Sequence, residues 1–290
     1  MIRKIRAAAH NTVRKGRELA QTARLSCHLP PTQTPLPSES GTVVAMTSYP
    51  ARIRHAWRSI ETIMRQEEHF GSVVLVLAEA DFPRRELPRR IRQQEKRGLE
   101  ILWTKRNGYS YDKLLPVRRA FEEQSIITVD DDLYFPPSLV KDLVLAADKY
   151  PGAIVGSRGW RVRPSPGDGQ VHFGIGWERA VQGDHGSGLH LPGGNGCLYP
   201  PHSLDPMVDR LDLALELAPS NDDIWFWIQA VRAGTEFVCL GMSPHQAVSP
   251  QRRTPALSHV NRTGQDAQFQ RVLRYFALDP ESLLWSKPES

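Results

Sequence analysis

From Thr42 to Gly156 the chain repeats one alternation: a short apolar run, then a stretch with helical spacing. The runs are Thr42 to Thr47, Ser72 to Ala78, Leu99 to Trp103, Ser125 to Val129 and Ala153 to Gly156. Each is too short for a buried helix and reads as a strand. Between them, Ile53, Trp57, Ile60, Ile63 and Met64 predict a helix over 53–66, and charged or amphipathic stretches predict helical structure over 83–97, 113–124 and 137–149. Strands separated by helices make βαβ units, which require a mainly parallel sheet in an α/β fold. Helix 222–233, strand 236–240 and helix 267–276 follow the same logic. Residues 159–202 break it. They are rich in Gly, Pro, His and Trp, and their interspersed aromatics Trp160, Phe173, Trp177 and Tyr199 predict an ordered, site-forming region.

The 290 residues fit one large α/β domain or two modest ones. A net charge of +5 is unevenly placed. Residues 1–26 hold seven Lys and Arg against Glu18 alone. Removing them from the chain's 37 basic and 32 acidic residues leaves 30 against 31, so the body is nearly neutral. That argues against a nucleic-acid-binding surface. The first 26 residues read as a basic amphipathic helix softened at Gly16, which is either a membrane-surface or partner-binding element or a solvated extension. Residues 27–41 are a proline-rich linker, with the folded body expected over 42–290. Three cysteines without a C-x-x-C pair fit a reducing compartment, no secretory signal is seen, and the apolar runs are too short to span a bilayer. The expected location is cytoplasmic, with peripheral attachment at the inner face of the membrane through residues 1–26.

Asp130-Asp131-Asp132 directly follows an apolar strand. Three adjacent carboxylates repel unless a cation neutralises them, and the C-terminal end of a parallel strand is where α/β sheets place ligands. Mg2+ or Mn2+ takes one or two carboxylates plus substrate phosphates. In an extended chain Asp130 and Asp132 face one way and Asp131 the other. The plainer reading is a solvated acidic turn. Asn221-Asp222-Asp223 opens a helix and reads either as an N-cap with a favourable dipole or, beside a metal site, as a carboxylate pair holding a general base. Gly193-Gly194-Asn195-Gly196 lacks the Lys-Ser/Thr of a P-loop and reads either as a glycine loop that lets backbone approach a nucleotide or as a tight turn shaping a substrate pocket.

The order of Thr47-Ser48-Tyr49-Pro50, Lys113-Leu114, Asp130-Asp131-Asp132, the glycine-rich segment and Asn221-Asp222-Asp223 resembles a GT-A-fold glycosyltransferase of the kind that builds bacterial surface polysaccharides. The resemblance covers about residues 42–241. It implies a GT-A-like domain with a Rossmann-like, mainly parallel central sheet, a nucleotide-binding half at 42–157 and an acceptor-binding half at 158–290. It implies transfer from a nucleotide-sugar donor, UDP-linked, to a saccharide or lipid-linked acceptor, with inversion. Asp130 and Asp132 then match the Asp-x-Asp motif that holds Mn2+ or Mg2+, with His259 or His245 as a further ligand. Asp223 matches the base, eleven residues before Gly234, and Asp222 stands where the family has Glu. Thr47, Ser48, Tyr49 and Arg52, with Arg54, fall where the family grips the nucleotide, and Asp131 falls within its metal-diphosphate motif. Lys113 matches a position from which an ammonium meets the diphosphate; its plainer reading is an exposed lysine at a helix start. Two other readings of the sequence are a metal-dependent phosphohydrolase and a non-catalytic protein that binds membranes through its basic helix.

Overall fold

The computed structural model describes residues 41–67, 71–243, 246–247 and 264–286, together with Leu25. The rest of the segments 1–26 and 27–41, along with His245 and His259, lies outside the described residues. Every apolar run of the first half forms a strand: β1 (Thr42–Thr47), β2 (Val73–Ala78), β3 (Leu99–Thr104), β4 (Ser125–Val129) and, after the two-residue β5 (Leu133–Tyr134), β6 (Ile154–Gly156). Short strands β7 (Trp160–Arg161), β8 (Glu178–Arg179), β9 (His185–Gly186) and β10 (Leu189–His190) follow, then β11 (Asn195–Tyr199), β12 (Phe237–Cys239) and β13 (Gln246–Ala247).

Eight of these strands form the central sheet in the order β3-β2-β1-β4-β11-β6-β12-β9. β1 pairs in parallel with β2 and β4, β2 with β3, and β6 with β12. β11 is wedged antiparallel between β4 and β6, and β9 closes the edge antiparallel to β12. The α/β class and the mainly parallel sheet expected from the sequence are what the structure shows. β10, β7 and β8 form a separate three-stranded ribbon, and β13 pairs with β5.

Both faces of the sheet are covered, which is why its parallel strands read as continuous apolar runs. Alternate residues divide between the faces. Val43, Ala45, Val74, Val76, Ile126 and Ile154 pack with Tyr111 and with helices α3 (Leu115–Ala120), α5 (Leu211–Leu217), α6 (Asp222–Arg232) and α7 (Gln265–Phe276). Val44, Met46, Leu75, Leu77, Ile127 and Val155 pack with helices α1 (Ile53–Ile63), α2 (Arg89–Glu95) and α4 (Leu139–Lys149). Leu25 is buried in this second cluster, and its carbonyl accepts from Arg65 Nη2 at 2.9 Å.

Three expectations are corrected. The helix expected over 83–97 is only α2, because Pro88 precedes it and a residue before proline avoids helical geometry. The helix expected from Lys113 is a 3₁₀ turn, Tyr109–Lys113, followed by the six-residue α3. The glycine-rich segment is more than a turn: its second half is β11, a central strand that the Gly-Gly start conceals. Among the described residues no helix is long and apolar enough to cross a membrane.

Candidate functional site

Parallel strands bring their C-terminal ends to one edge of the sheet. Thr47 to Arg52 leave β1 there, Asp81 lies beyond β2, Asn107 and Tyr109 beyond β3, and Asp130 to Asp132 beyond β4. β11 runs the other way, so its approach through Pro192, Gly193 and Gly194 arrives at the same edge. α6 starts there too, with Asn221 Oδ1 accepting from the Ile224 amide at 3.2 Å and Asp222 and Asp223 in the first turn. Thr47, Ser48, Tyr49, Arg52, Lys113, Asp130, Asp131, Asp132, Asp222 and Asp223 all line one cavity of about 880 Å³. Arg54, on the exposed face of α1, is not in that lining.

Lys113 joins the two acidic segments. It is buried, not an exposed lysine at a helix start, and its Nζ lies 2.8 Å from Asp130 Oδ1 and 3.3 Å from Asp222 Oδ2. Burial alone would lower its pKa, but Asp130, Asp222 and Asp223 outweigh that and hold the ammonium charged. In return, Lys113 and Arg52 overcome the desolvation of Asp130 and keep its carboxyl below the usual range.

Asp131 lies in a turn after β4, not in the extended chain expected, and lines the same cavity as its two neighbours. Ser48 Oγ donates to its Oδ2 at 2.5 Å and Arg52 Nη1 lies 3.2 Å from its Oδ1, so both oxygens hold the loop after β1. Burial and Asp130 push its pKa up against those two partners. Arg52 also pairs with Asp132. The Asp130 and Asp132 side chains remain 40% and 36% exposed, each with one cationic partner. They offer hard oxygens to a cavity, a donor set that suits Mg2+ or Mn2+ completed by phosphate oxygens. Among the described residues no group of three or more His, Cys, Asp or Glu side chains forms a metal cage. The expected histidine ligands, His259 and His245, lie outside the described residues.

Asp223 differs from Asp222. Its Oδ1 accepts from the Gly193 amide at 2.9 Å. Burial first, then the charge of Asp222, push its pKa well above the carboxylate range, although Lys113 and the Gly193 amide oppose them. The dipole at the start of α6 therefore does not dominate, contrary to expectation. Gly194 admits the other acidic segment: a Cβ there would fall 2.0 Å from Asp130 Oδ2.

Sequence reasoning missed Asp81, Asn107, Tyr109 and Asp112, which also line the cavity. Asp81, Asn107 and Tyr109 come from the loops after β2 and β3, the same strand ends that the rule points to, but they do not abut an apolar run as Asp130 abuts β4. Burial pushes Asp112 up to about 6. The far wall holds Trp160, Phe173, Trp177 and His190. Its three aromatics carried a sequence signal, and His190 carried none.

No protein-family model and no curated protein matches the chain. Solved structures similar to it include TarS from S. aureus (14% identity, 81% of this chain and 72% of that one, TM-score 0.45). Another is a mannosyltransferase from Pyrobaculum calidifontis in complex with GDP-Man and Mn2+ (12% identity, 97% and 75%, TM-score 0.48). A third is 4-diphosphocytidyl-2C-methyl-D-erythritol synthase (14% identity, 81% and 99%, TM-score 0.43). At these values the likeness carries no argument about activity, which is left to the geometry of the site.

Proposed function

We propose that the chain is a glycosyltransferase of the GT-A type that moves a sugar from a nucleotide-sugar donor, UDP-linked, to a saccharide or lipid-linked acceptor with inversion. The observation that carries this reading is the convergence of two acidic segments on one buried lysine. Asp130 and Asp132 come from a strand end, Asp222 and Asp223 from a helix start, and Lys113 ties them together in a single cavity.

The chemistry gives each residue a task. Thr47, Ser48, Tyr49 and Arg52 bind and orient the nucleotide, with Asp131 fixing their loop. Asp130 and Asp132 would hold the divalent ion, which when bound supplies positive charge to the leaving diphosphate. Lys113 holds Asp130 in place and adds a fixed cation near the same developing charge. Asp223 accepts the proton of the acceptor hydroxyl at its carboxylate, with the Gly193 amide fixing its orientation. Asp222, paired with Lys113, keeps its negative charge beside Asp223 and raises the basicity of Asp223. The basic segment 1–26 would serve an anionic membrane surface when the acceptor is lipid-linked.

The test is thermal unfolding of the full chain with UDP or GDP, with and without Mn2+. A ligand at a hundred times its Kd stabilises by about 2.7 kcal/mol. We expect a nucleotide shift that needs Mn2+ and is lost in Asp132→Asn and Asp130→Asn. An unchanged Mn2+-dependent shift in both variants would leave the triplet a plain acidic turn.

A further inference from the structure

The cavity has two chemically distinct ends, and strand order sets their separation. Asp81 and Asn107 lie beyond β2 and β3, the Asp triplet beyond β4, Asp223 against Gly193 at the approach to β11, and Trp160 beyond β6. β2 and β6 are four strand spacings apart, about 19 Å at ~4.8 Å each. One end is acidic and polar; the other is walled by Trp160, Phe173, Trp177 and His190.

His190 is the anomaly of that wall. It is 4% exposed and lines the cavity, yet neither Nδ1 nor Nε2 has a hydrogen-bond partner among the described residues. Its ring is packed among aromatics, with centroids 5.1 Å from Phe173, 5.4 Å from Trp177, 5.3 Å from Trp227 and 6.3 Å from Trp160. The indole N–H groups of Trp177 and Trp227, both beside it, are also buried without partners. A buried polar group left unpaired costs ~1–3 kcal/mol, and a site meant only to pack would use Phe or Leu. Three of these atoms, both His190 nitrogens and Trp177 Nε1, belong to residues that line the cavity, and Trp227 packs behind them.

Their chemistry defines what would satisfy them. A neutral imidazole needs one acceptor and one donor, and each indole needs an acceptor. Hydroxyl groups play both roles, and the rings offer apolar faces to a flat C–H surface. An anion fits poorly: the other end is acidic, and Arg158, over the Trp160 ring at 5.1 Å, is outside the lining. Burial drives the pKa of His190 down to about 3, so the ring is neutral at working pH.

Resting on the reading of this site as one of glycosyl transfer, we infer that the aromatic end is the acceptor subsite for a neutral pyranose ring, with Trp160 and Trp177 as its platform and His190 as the residue that selects its hydroxyls. Both His190 nitrogens are withdrawn from water in the ligand-free form. Rotation of the ring turns one of them to the cavity that it already lines. The far end of the sheet is left for the nucleotide, and Asp223 stands between.

The probes are methyl glycosides of glucose, galactose, mannose and N-acetylglucosamine. Binding to the full chain is read by tryptophan fluorescence and saturation-transfer NMR, with and without UDP and Mn2+. We expect saturable binding of at least one glycoside, about tenfold weaker in His190→Phe and in Trp160→Ala, as loss of one or two weak contacts requires. His190→Phe should unfold at the same or a higher temperature and keep its response to UDP and Mn2+. The proposal is overturned if no glycoside binds the wild type, if both variants bind it unchanged, or if His190→Phe is markedly destabilised, which would make His190 structural. Glycoside binding without any nucleotide response would keep the subsite and remove the donor reading; the converse would remove the subsite alone.

Discussion

Asp222 and Asp223 are adjacent in sequence and meet different surroundings. Asp222 is buried against the Lys113 ammonium, while Asp223 rests one oxygen on the Gly193 amide and has its pKa raised by burial and by Asp222. A general base works ionised, so its activity is lost as pH falls through that raised pKa. The acid limb of kcat should therefore lie above the ordinary carboxylate range near ~4 and be absent in Asp223→Asn. The same substitution should lower kcat by about 10²–10⁴-fold with donor affinity little changed. Steady-state rates across pH, with matched unfolding curves, check both; a limb left near pH 4 would assign the base elsewhere. The acidic residues of the site were legible because they follow an apolar strand or open a helix. The partners of Lys113 and the isolation of His190 were not, because both depend on which segments meet across the fold.

Two glycines separate a demand of the backbone from a demand of the site. Gly234 ends α6: its φ is +73°, its amide reaches the Val231 carbonyl, and the Thr235 amide reaches that of Ala230. A Cβ there would meet nothing within 4 Å, so Gly234→Ala should cost about 1–2 kcal/mol of stability through conformation alone and leave nucleotide binding intact. Gly194→Ala would place its methyl against the Asp130 carboxylate and should abolish the Mn2+-dependent nucleotide response. Paired unfolding and binding curves separate the two effects. The eleven-residue interval from Asp223 to Gly234 noted in the sequence is thus the length of α6. Elements with sustained periodicity were readable to within a few residues, and β1 and β4 at both ends. The two-residue strands β7 to β10 were not, because such strands are defined by their pairing partners and not by any pattern of their own. β11 was missed because Gly193 and Gly194, which serve the acidic edge, run straight into it and its own Gly196 interrupts the apolar pattern.

Across the whole molecule, the sheet with a helical layer on each face follows from the alternation in the first half of the sequence, and the antiparallel wedge of β11 does not. Leu25 adds a link the sequence did not announce. Its side chain is buried against the α1 side although the proline-rich stretch follows it in sequence. A chain shortened to begin at Gly41 should bind nucleotide as before but lose about 2 kcal/mol of stability with that side chain. An unchanged unfolding curve would mean that Leu25 adds nothing. The ribbon of β7 and β8 has a consequence for how such a protein diversifies. Trp160 pairs with Arg179 and Arg161 with Glu178, closing the base of a loop whose returning limb carries Phe173 and Trp177. Doubling the length of a closed loop costs only about 0.6 kcal/mol. Variation in that hairpin is therefore cheap only at its exposed stretches, 166–170 and 174–176: evolution or a library can rewrite the rim of the cavity there while Val162 and Val171 stay anchored in the core and the carboxylates stay at the sheet edge.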